Sequence, residues 1–181
     1  SRGIRVLDGK ADRFDLLFNQ KPNSIFSTLE EVLTSIGDKK IPKLVVSEYL
    51  PGVELTIDTI VNKGTLLDCL IRTRTSINNG ISTAGSFIDN KEIYEYVDKI
   101  VSSIPGLEGP VGFQVKKSAK GRYLLLESNP RIQGTSVAAL GLGVNLPLRA
   151  VNQALGVILE SLPKHSGISF VRYYQEAFYD S

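Results

Sequence analysis

Residues 111–117 (VGFQVKK) and 122–128 (RYLLLES) are two runs of β-branched, aromatic and aliphatic residues, separated by the turn-forming Ser118-Ala119-Lys120-Gly121. Runs of that composition around a Ser/Gly turn predict an antiparallel hairpin. If the four turn residues are the loop, Lys117 pairs with Arg122 and Gly112 with Glu127. Strand alternation then places Gln114, Glu127 and Asn129 on one face, with Gln114 diagonal to Glu127 and Gly112 leaving room opposite it. A loop of odd length would send Gln114 to the other face.

The return strand ends in Glu127-Ser128-Asn129-Pro130-Arg131. Magnesium takes hard oxygen ligands, commonly one or two carboxylates completed by substrate phosphates. Glu127 supplies charge, while Asn129 and Gln114 supply neutral oxygens. Arg131 cannot bind a metal, but its planar fork suits a phosphate or carboxylate oxygen beside one. The competing reading is an ordinary polar strand end stopped by Pro130.

Composition limits the alternatives. A 181-residue chain with 42% hydrophobic residues and no long apolar run has the makings of a substantial core, and nothing in it suggests a membrane span or signal peptide. A formal charge of +2 with both signs scattered argues against a nucleic-acid or membrane-surface partner. Cys69 is the lone cysteine, set in an apolar stretch, so it reads as a buried small hydrophobe. His165 is the lone histidine and lies in a turn-like stretch, which leaves zinc without a ligand set. Cytoplasmic residence fits this cysteine usage.

The spacing predicts a short strand over 4–7, helices over 11–20 and 28–36, and strands over 44–50 and 53–61. Asn62-Lys63-Gly64 reads as a tight turn into a returning strand over 65–77, with Arg72 and Arg74 on one face. Residues 78–86 read as a small polar loop punctuated by glycine. A helix over 91–103 carries the apolar stripe Ile93, Tyr94, Val97, Ile100 and Val101. Helical stretches are expected around 135–140 and 147–159, and a last strand over 168–173. The order is α+β, a mostly antiparallel sheet with flanking helices.

Four stretches together resemble the ATP-grasp superfamily, in the branch of the carbamoyl phosphate synthetase large subunit and related stand-alone ligases. They are residues 46–54 (VSEYLPGVE), 80–86 (GISTAGS), 109–114 (GPVGFQ) and 127–131 (ESNPR). The resemblance implies an ATP-grasp fold lacking its N-terminal region, with ATP and Mg2+ or Mn2+ as cofactors. It places adenine on the backbone around Glu48, Tyr49 and Leu50, and the ribose hydroxyls on Glu54. Gly80, Ile81 and Ser82 would lie near the ribose and phosphates, although Ser82 stands where carbamoyl phosphate synthetase carries a histidine. Gln114, Glu127 and Asn129 would hold the metal against the phosphates. Arg131 would meet the transferring phosphoryl or acyl-phosphate group, and Arg72 and Arg74 are further candidates for phosphate or carboxylate.

Ser1-Arg2-Gly3-Ile4 resembles the tail of the family's phosphate-covering loop. The implied organisation is residues 1–46 as the end of that subdomain and 47–181 as the C-terminal subdomain. The implied activity is the C-terminal part of an ATP-dependent ligase that makes an acyl phosphate for attack by an amine. Small-molecule carboxylate and amine substrates, the missing N-terminal portion and a homodimer are the partners it allows. The alternative is a non-catalytic nucleotide-binding module or a subunit of a split carbamoyl phosphate synthetase-like protein. On either reading, the chain alone is expected to turn over little.

Overall fold

The computed structural model describes residues 4–12, 14, 25–41, 43–78, 80–163 and 166–180. It divides into two compact units, Ser1–Tyr49 and Leu50–Ser181. Of the expected helix over 11–20, only Ala11, Asp12 and Phe14 fall within the described residues, and His165 and the first three residues fall outside them.

In the first unit, β1 (Val6–Leu7) pairs in parallel with β2 (Phe26–Ser27). Helix α1 (Leu29–Ile36) starts where Thr28 and Glu31 cap each other: Glu31 N donates to Thr28 Oγ1 and Thr28 N donates to Glu31 Oε2. That reciprocal box satisfies two of the otherwise orphaned amides at a helix start. Gly37 closes the helix at φ 50°, a conformation that costs a residue with a Cβ.

The second unit is built on seven strands. They are β3 (Glu54–Asn62), β4 (Thr65–Thr73), β5 (Ser76–Asn78), β6 (Ile81–Ile88), β7 (Gly109–Lys117), β8 (Tyr123–Asn129) and β9 (Ser169–Val171). The order is β5-β6-β4-β3-β7-β8, with β9 on β6, and every pairing within it is antiparallel. The β3–β4 turn is the tight one expected, because Asn62 pairs with Thr65 and both Lys63 and Gly64 have positive φ.

Alternation along β3 sorts the sheet into two faces. Leu55, Ile57 and Val61 join Cys69, Ile71, Val111, Phe113 and Val115 beneath helix α2 (Lys91–Ser102). Ile93, Val97 and Val101 of α2 are fully buried there, each stabilising the fold by roughly 1.5–3 kcal/mol. On the opposite face Ile60, Leu70 and Phe87 pack under the 3-10 helix Ser136–Leu142 and the start of helix α3 (Leu146–Ala154). Arg149 of α3 clamps Asp68 of β4 through two hydrogen bonds of 2.5 and 2.6 Å. Toward Glu54, Gln114 and Glu127 that face carries mainly polar residues.

Four expectations are corrected. No ladder forms over the expected strand 44–50, where Val45 and Val46 are 96% and 88% exposed; apolar, β-branched composition does not make a strand without a sheet edge to pair it. The expected loop over 78–86 is instead largely strand β6, and the expected strand over 65–77 divides into β4 and β5. At position 85 of β6 only glycine fits, since a Cβ there would lie 2.2 Å from the Thr73 carbonyl oxygen. Helix α3 ends at Ala154, short of 159, and Gly156 at φ 75° follows it.

Candidate nucleotide and metal site

The hairpin register differs from the expected one in two places, and the differences offset each other. Lys117 pairs with Tyr123, so the loop has five residues, held by Ser118 N on Arg122 O and Arg122 N on Ser118 Oγ. Lys117–Arg122 and Gly112–Glu127 are therefore not the pairs. A register shift between Gln114 and Val115 then lets Leu126 bulge out, which returns Gln114 to the face of Glu127. Gln114 sits directly opposite Glu127, and Gly112 opposite Asn129.

These pairs extend across the sheet. Thr56 is opposite both Arg72 and Gln114, giving the row Arg72, Thr56, Gln114, Glu127 over four strands. The next row is Leu70, Asp58, Gly112, Asn129. Residues paired across a ladder share a face. With strands about 4.8 Å apart, Gln114 and Glu127 are nearest neighbours and Arg72 lies about 14 Å along the row from Glu127.

At the open end of these rows Glu127 is exposed and Asn129 and Gln114 are half-buried. Asn129 Nδ2 donates to Glu127 Oε1, Arg131 Nη2 donates to Asn129 Oδ1 at 3.5 Å, and Arg131 Nη1 donates to the Ile132 carbonyl at 3.1 Å. One carboxylate with two amides is a sparse donor set, and no group of three or more His, Cys, Asp or Glu is placed to hold a metal among the described residues. Such a set fits a magnesium ion whose remaining ligands and charge balance come from phosphates, not a metal held by protein alone. For Asn129 to present oxygen beside Glu127 its amide must turn over, a rotation about a broad, soft torsion.

Behind these residues lies a buried network that the sequence did not single out. Asp58, 4% exposed, accepts from Arg72 Nε at 2.9 Å, Gln133 Nε2 at 3.0 Å and Ser136 Oγ at 2.6 Å. Gln133 also donates to the Ile57 carbonyl at 3.0 Å. Gly112 makes room for it: a Cβ there would lie 2.3 Å from the Gln133 side chain. The space opposite the strand end is thus filled by Gln133, which anchors the segment that follows Arg131. The available signal was Asp58 itself, an acid in phase with Glu54, Thr56 and Ile60. Arg72, expected as an exposed cation or a ligand contact, is only 1% exposed and keeps Nη1 without a hydrogen bond.

Glu54 and Arg74 also meet on this face. Arg74 Nε lies 3.0 Å from Glu54 Oε1 but out of line for a hydrogen bond, so the contact is an ion pair. Arg74 Nη1 donates to Thr56 Oγ1 at 3.2 Å and Nη2 to the Gly80 carbonyl at 2.8 Å. Gly80 sits in the turn before β6 at φ 80°, and Ile81 is exposed. Ser82 is buried with no partner for its hydroxyl, while its carbonyl accepts from Thr135 Oγ1 at 3.3 Å. Glu48 and Tyr49 end the first unit, where Tyr49 packs edge-on to Phe26, and the buried Leu50 opens the second. A cleft of about 440 Å³ lined by Leu67, Cys69, Ile71, Asn90, Tyr94 and Leu162 lies on the α2 face, away from Gln114 and Glu127.

This mostly antiparallel sheet with flanking helices is consistent with a partial ATP-grasp fold. Residues 40–177 match the family described as ATP-grasp in the biosynthetic pathway with Ter operon, and the chain belongs to that family. Among solved structures, N5-carboxyaminoimidazole synthetase from Staphylococcus aureus, complexed with ADP, matches with a TM-score of 0.50 and 16% identity over 62% of this chain. The biotin carboxylase domain of a thermophilic 2-oxoglutarate carboxylase, bound to bicarbonate, matches with a TM-score of 0.50 and 18% identity over 63%. The L-amino acid ligase from Bacillus licheniformis gives a TM-score of 0.44 at 18% identity over 59%. The chain spans 32%, 28% and 30% of those proteins, respectively. No curated protein matches its sequence. No helix among the described residues is long and apolar enough to cross a membrane.

Proposed function

We propose that this chain supplies the metal- and nucleotide-binding wall of an ATP-dependent ligase that activates a carboxylate as an acyl phosphate for attack by an amine. The observation that carries the reading is the direct pairing of Gln114 with Glu127, with Asn129 on Glu127 and Arg131 on Asn129. Gln114, Glu127 and Asn129 would hold Mg2+ or Mn2+ with the nucleotide phosphates. The bound metal would neutralise phosphate charge that otherwise repels an incoming carboxylate.

Arg131 brings a fixed cation to the same oxygens, where negative charge moves during phosphoryl transfer. Glu54 accepts from the ribose hydroxyls, backbone groups of Glu48, Tyr49 and Leu50 read adenine, and Gly80, Ile81 and Ser82 line the approach to the phosphates. No side-chain nucleophile is required, because the substrate carboxylate itself attacks the γ-phosphorus. The branch we favour within the superfamily is the carboxylate–amine ligases and their carbamoyl phosphate synthetase-like relatives.

Calorimetric titration with ADP, with and without Mg2+, tests this reading. Saturable binding that tightens at least tenfold with the metal is expected for the wild-type chain. The same binding in Glu127→Ala, with its metal dependence intact, would remove that residue from the site.

A further inference from the structure

We propose that Arg74 is a positioning residue that aims the Glu54 carboxylate and ties it to the Gly80 turn, so that recognition of a vicinal diol depends on Arg74 as well as on Glu54. The inference rests on the reading of Glu54 as the acceptor for ribose hydroxyls.

The guanidinium is largely spoken for within the protein. Nε faces Glu54 Oε1 at 3.0 Å, Nη1 donates to Thr56 Oγ1 at 3.2 Å and Nη2 donates to the Gly80 carbonyl at 2.8 Å. Its side chain is 7% exposed and that of Glu54 is 18% exposed. A cation so enclosed is badly placed to follow a phosphate that moves during a reaction. It is well placed to fix a carboxylate, because its planar fork has one orientation that meets all three partners.

Glu54 has a second constraint. It opens β3 opposite Lys116 of β7, so the carboxylate stands on the same face as that lysine. Without Arg74 it would be free to turn toward Lys116 or solvent. A carboxylate has about four acceptor positions, so one guanidinium contact leaves room for two hydroxyl donors. The buried Nε–H that is out of line with Oε1 marks where Glu54 has latitude to rotate, and a bound diol would draw it into line. Arg74 also reaches the Gly80 carbonyl, and so couples the ribose-side acid to the turn beside the phosphates.

Affinities of ADP and 2′,3′-dideoxy-ADP for the full chain, measured with Mg2+, separate the possibilities. Wild type should prefer ADP by roughly tenfold or more, the scale of hydrogen bonds to a charged acceptor. Glu54→Ala should bring the ratio near one. Arg74→Ala should lower it at least threefold, weakening ADP more than dideoxy-ADP. Arg74→Lys should recover part of the ratio, since it restores a cation near Glu54 but not the three-way fork. Arg74→Gln serves as a second uncharged variant if Arg74→Ala does not fold. A ratio that survives loss of Arg74 but not of Glu54 overturns the positioning role and leaves the ribose reading standing. Equal weakening of both ligands in the Arg74 variants makes the residue merely structural and also overturns it. No preference in wild type, or none lost in Glu54→Ala, overturns the ribose reading and this inference with it.

Discussion

Gln114 and Glu127 face each other across β7 and β8 because a five-residue loop and a bulge at Leu126 offset one another. Either irregularity alone would put the two side chains on opposite faces, since strand alternation has a period of two. The bulge is therefore a determinant of the site although Leu126 carries no polar group. Deleting Leu126 removes the extra residue together with the bulge and closes the ladder with Glu127 still opposite Gln114 and Asn129 opposite Gly112, so metal-dependent ADP binding should survive within about threefold. Loss of that binding in a deletion variant that still folds would show that pairing across the ladder is not what assembles the site.

Glu127 is exposed and Asn129 half-buried, so their loss should be felt in ligand binding more than in folding. Glu127→Ala and Asn129→Ala should each weaken magnesium-dependent ADP binding at least tenfold and shift unfolding stability by only about 0.5 kcal/mol, as surface substitutions usually do. Paired calorimetry and urea denaturation check both halves of the statement.

Gly112 supports the site through space. A methyl group there would meet Gln133 at 2.3 Å and push it off Asp58 and the Ile57 carbonyl. Gly112→Ala should destabilise the chain by about 1–3 kcal/mol, the usual cost of overpacking. It should also weaken nucleotide binding, because Gln133 anchors the segment leading from Arg131. A urea midpoint unchanged from wild type would show that Gln133 has room to move.

Regular alternation made the sheet legible in the sequence: β3, β4, β7 and α2 lie within a few residues of their expected positions. The misread segments are those in which composition and partner availability disagree. The apolar run Leu44, Val45 and Val46 suited a strand, yet no ladder forms there. Ser82, Thr83, Ala84, Gly85 and Ser86 suited a loop, yet they lie in strand β6, where close approach to the Thr73 carbonyl requires a glycine at position 85. The candidate face was legible, but for an incomplete reason, because a bulge leaves no local mark in a run of three leucines. The Asp58 network was missed because Gln133 and Ser136 are far from Asp58 in sequence and become its partners only through folding.

Cys69 should behave as a buried hydrophobe. Burial first, and then the nearby carboxylates of Asp58, Asp68 and Asp98, push its thiol pKa from 9.0 up to about 12. A group whose pKa is raised on folding keeps its proton in the native state while the unfolded chain loses it. Its contribution to stability is thus present below about 9 and fades as pH rises toward about 12. At pH 8 the native thiol should react with a disulfide reagent at least a hundredfold more slowly than in urea, a difference read from the release of chromophore. Comparable rates in the two conditions would place the thiol in solvent.

Asp58 and Arg72 are the most consequential buried pair on the sheet, at 2.9 Å with both side chains 5% exposed or less. Removing one partner leaves the other charged and enclosed, which typically destabilises by about 3–5 kcal/mol. Arg72→Leu should therefore approach that loss in urea denaturation. Asp58→Asn should cost a similar amount, because it leaves Arg72 enclosed without its counter-charge and turns an amide N–H toward a group that itself donates. Asp58→Asn also discriminates between scaffold and site. If the network only supports folding, nucleotide affinity measured well below the unfolding midpoint should match wild type. If it sets the path of the segment after Arg131, affinity should fall severalfold even where the chain is fully folded. The second outcome is expected, since Gln133 and Ser136 connect that segment to the sheet floor through one carboxylate.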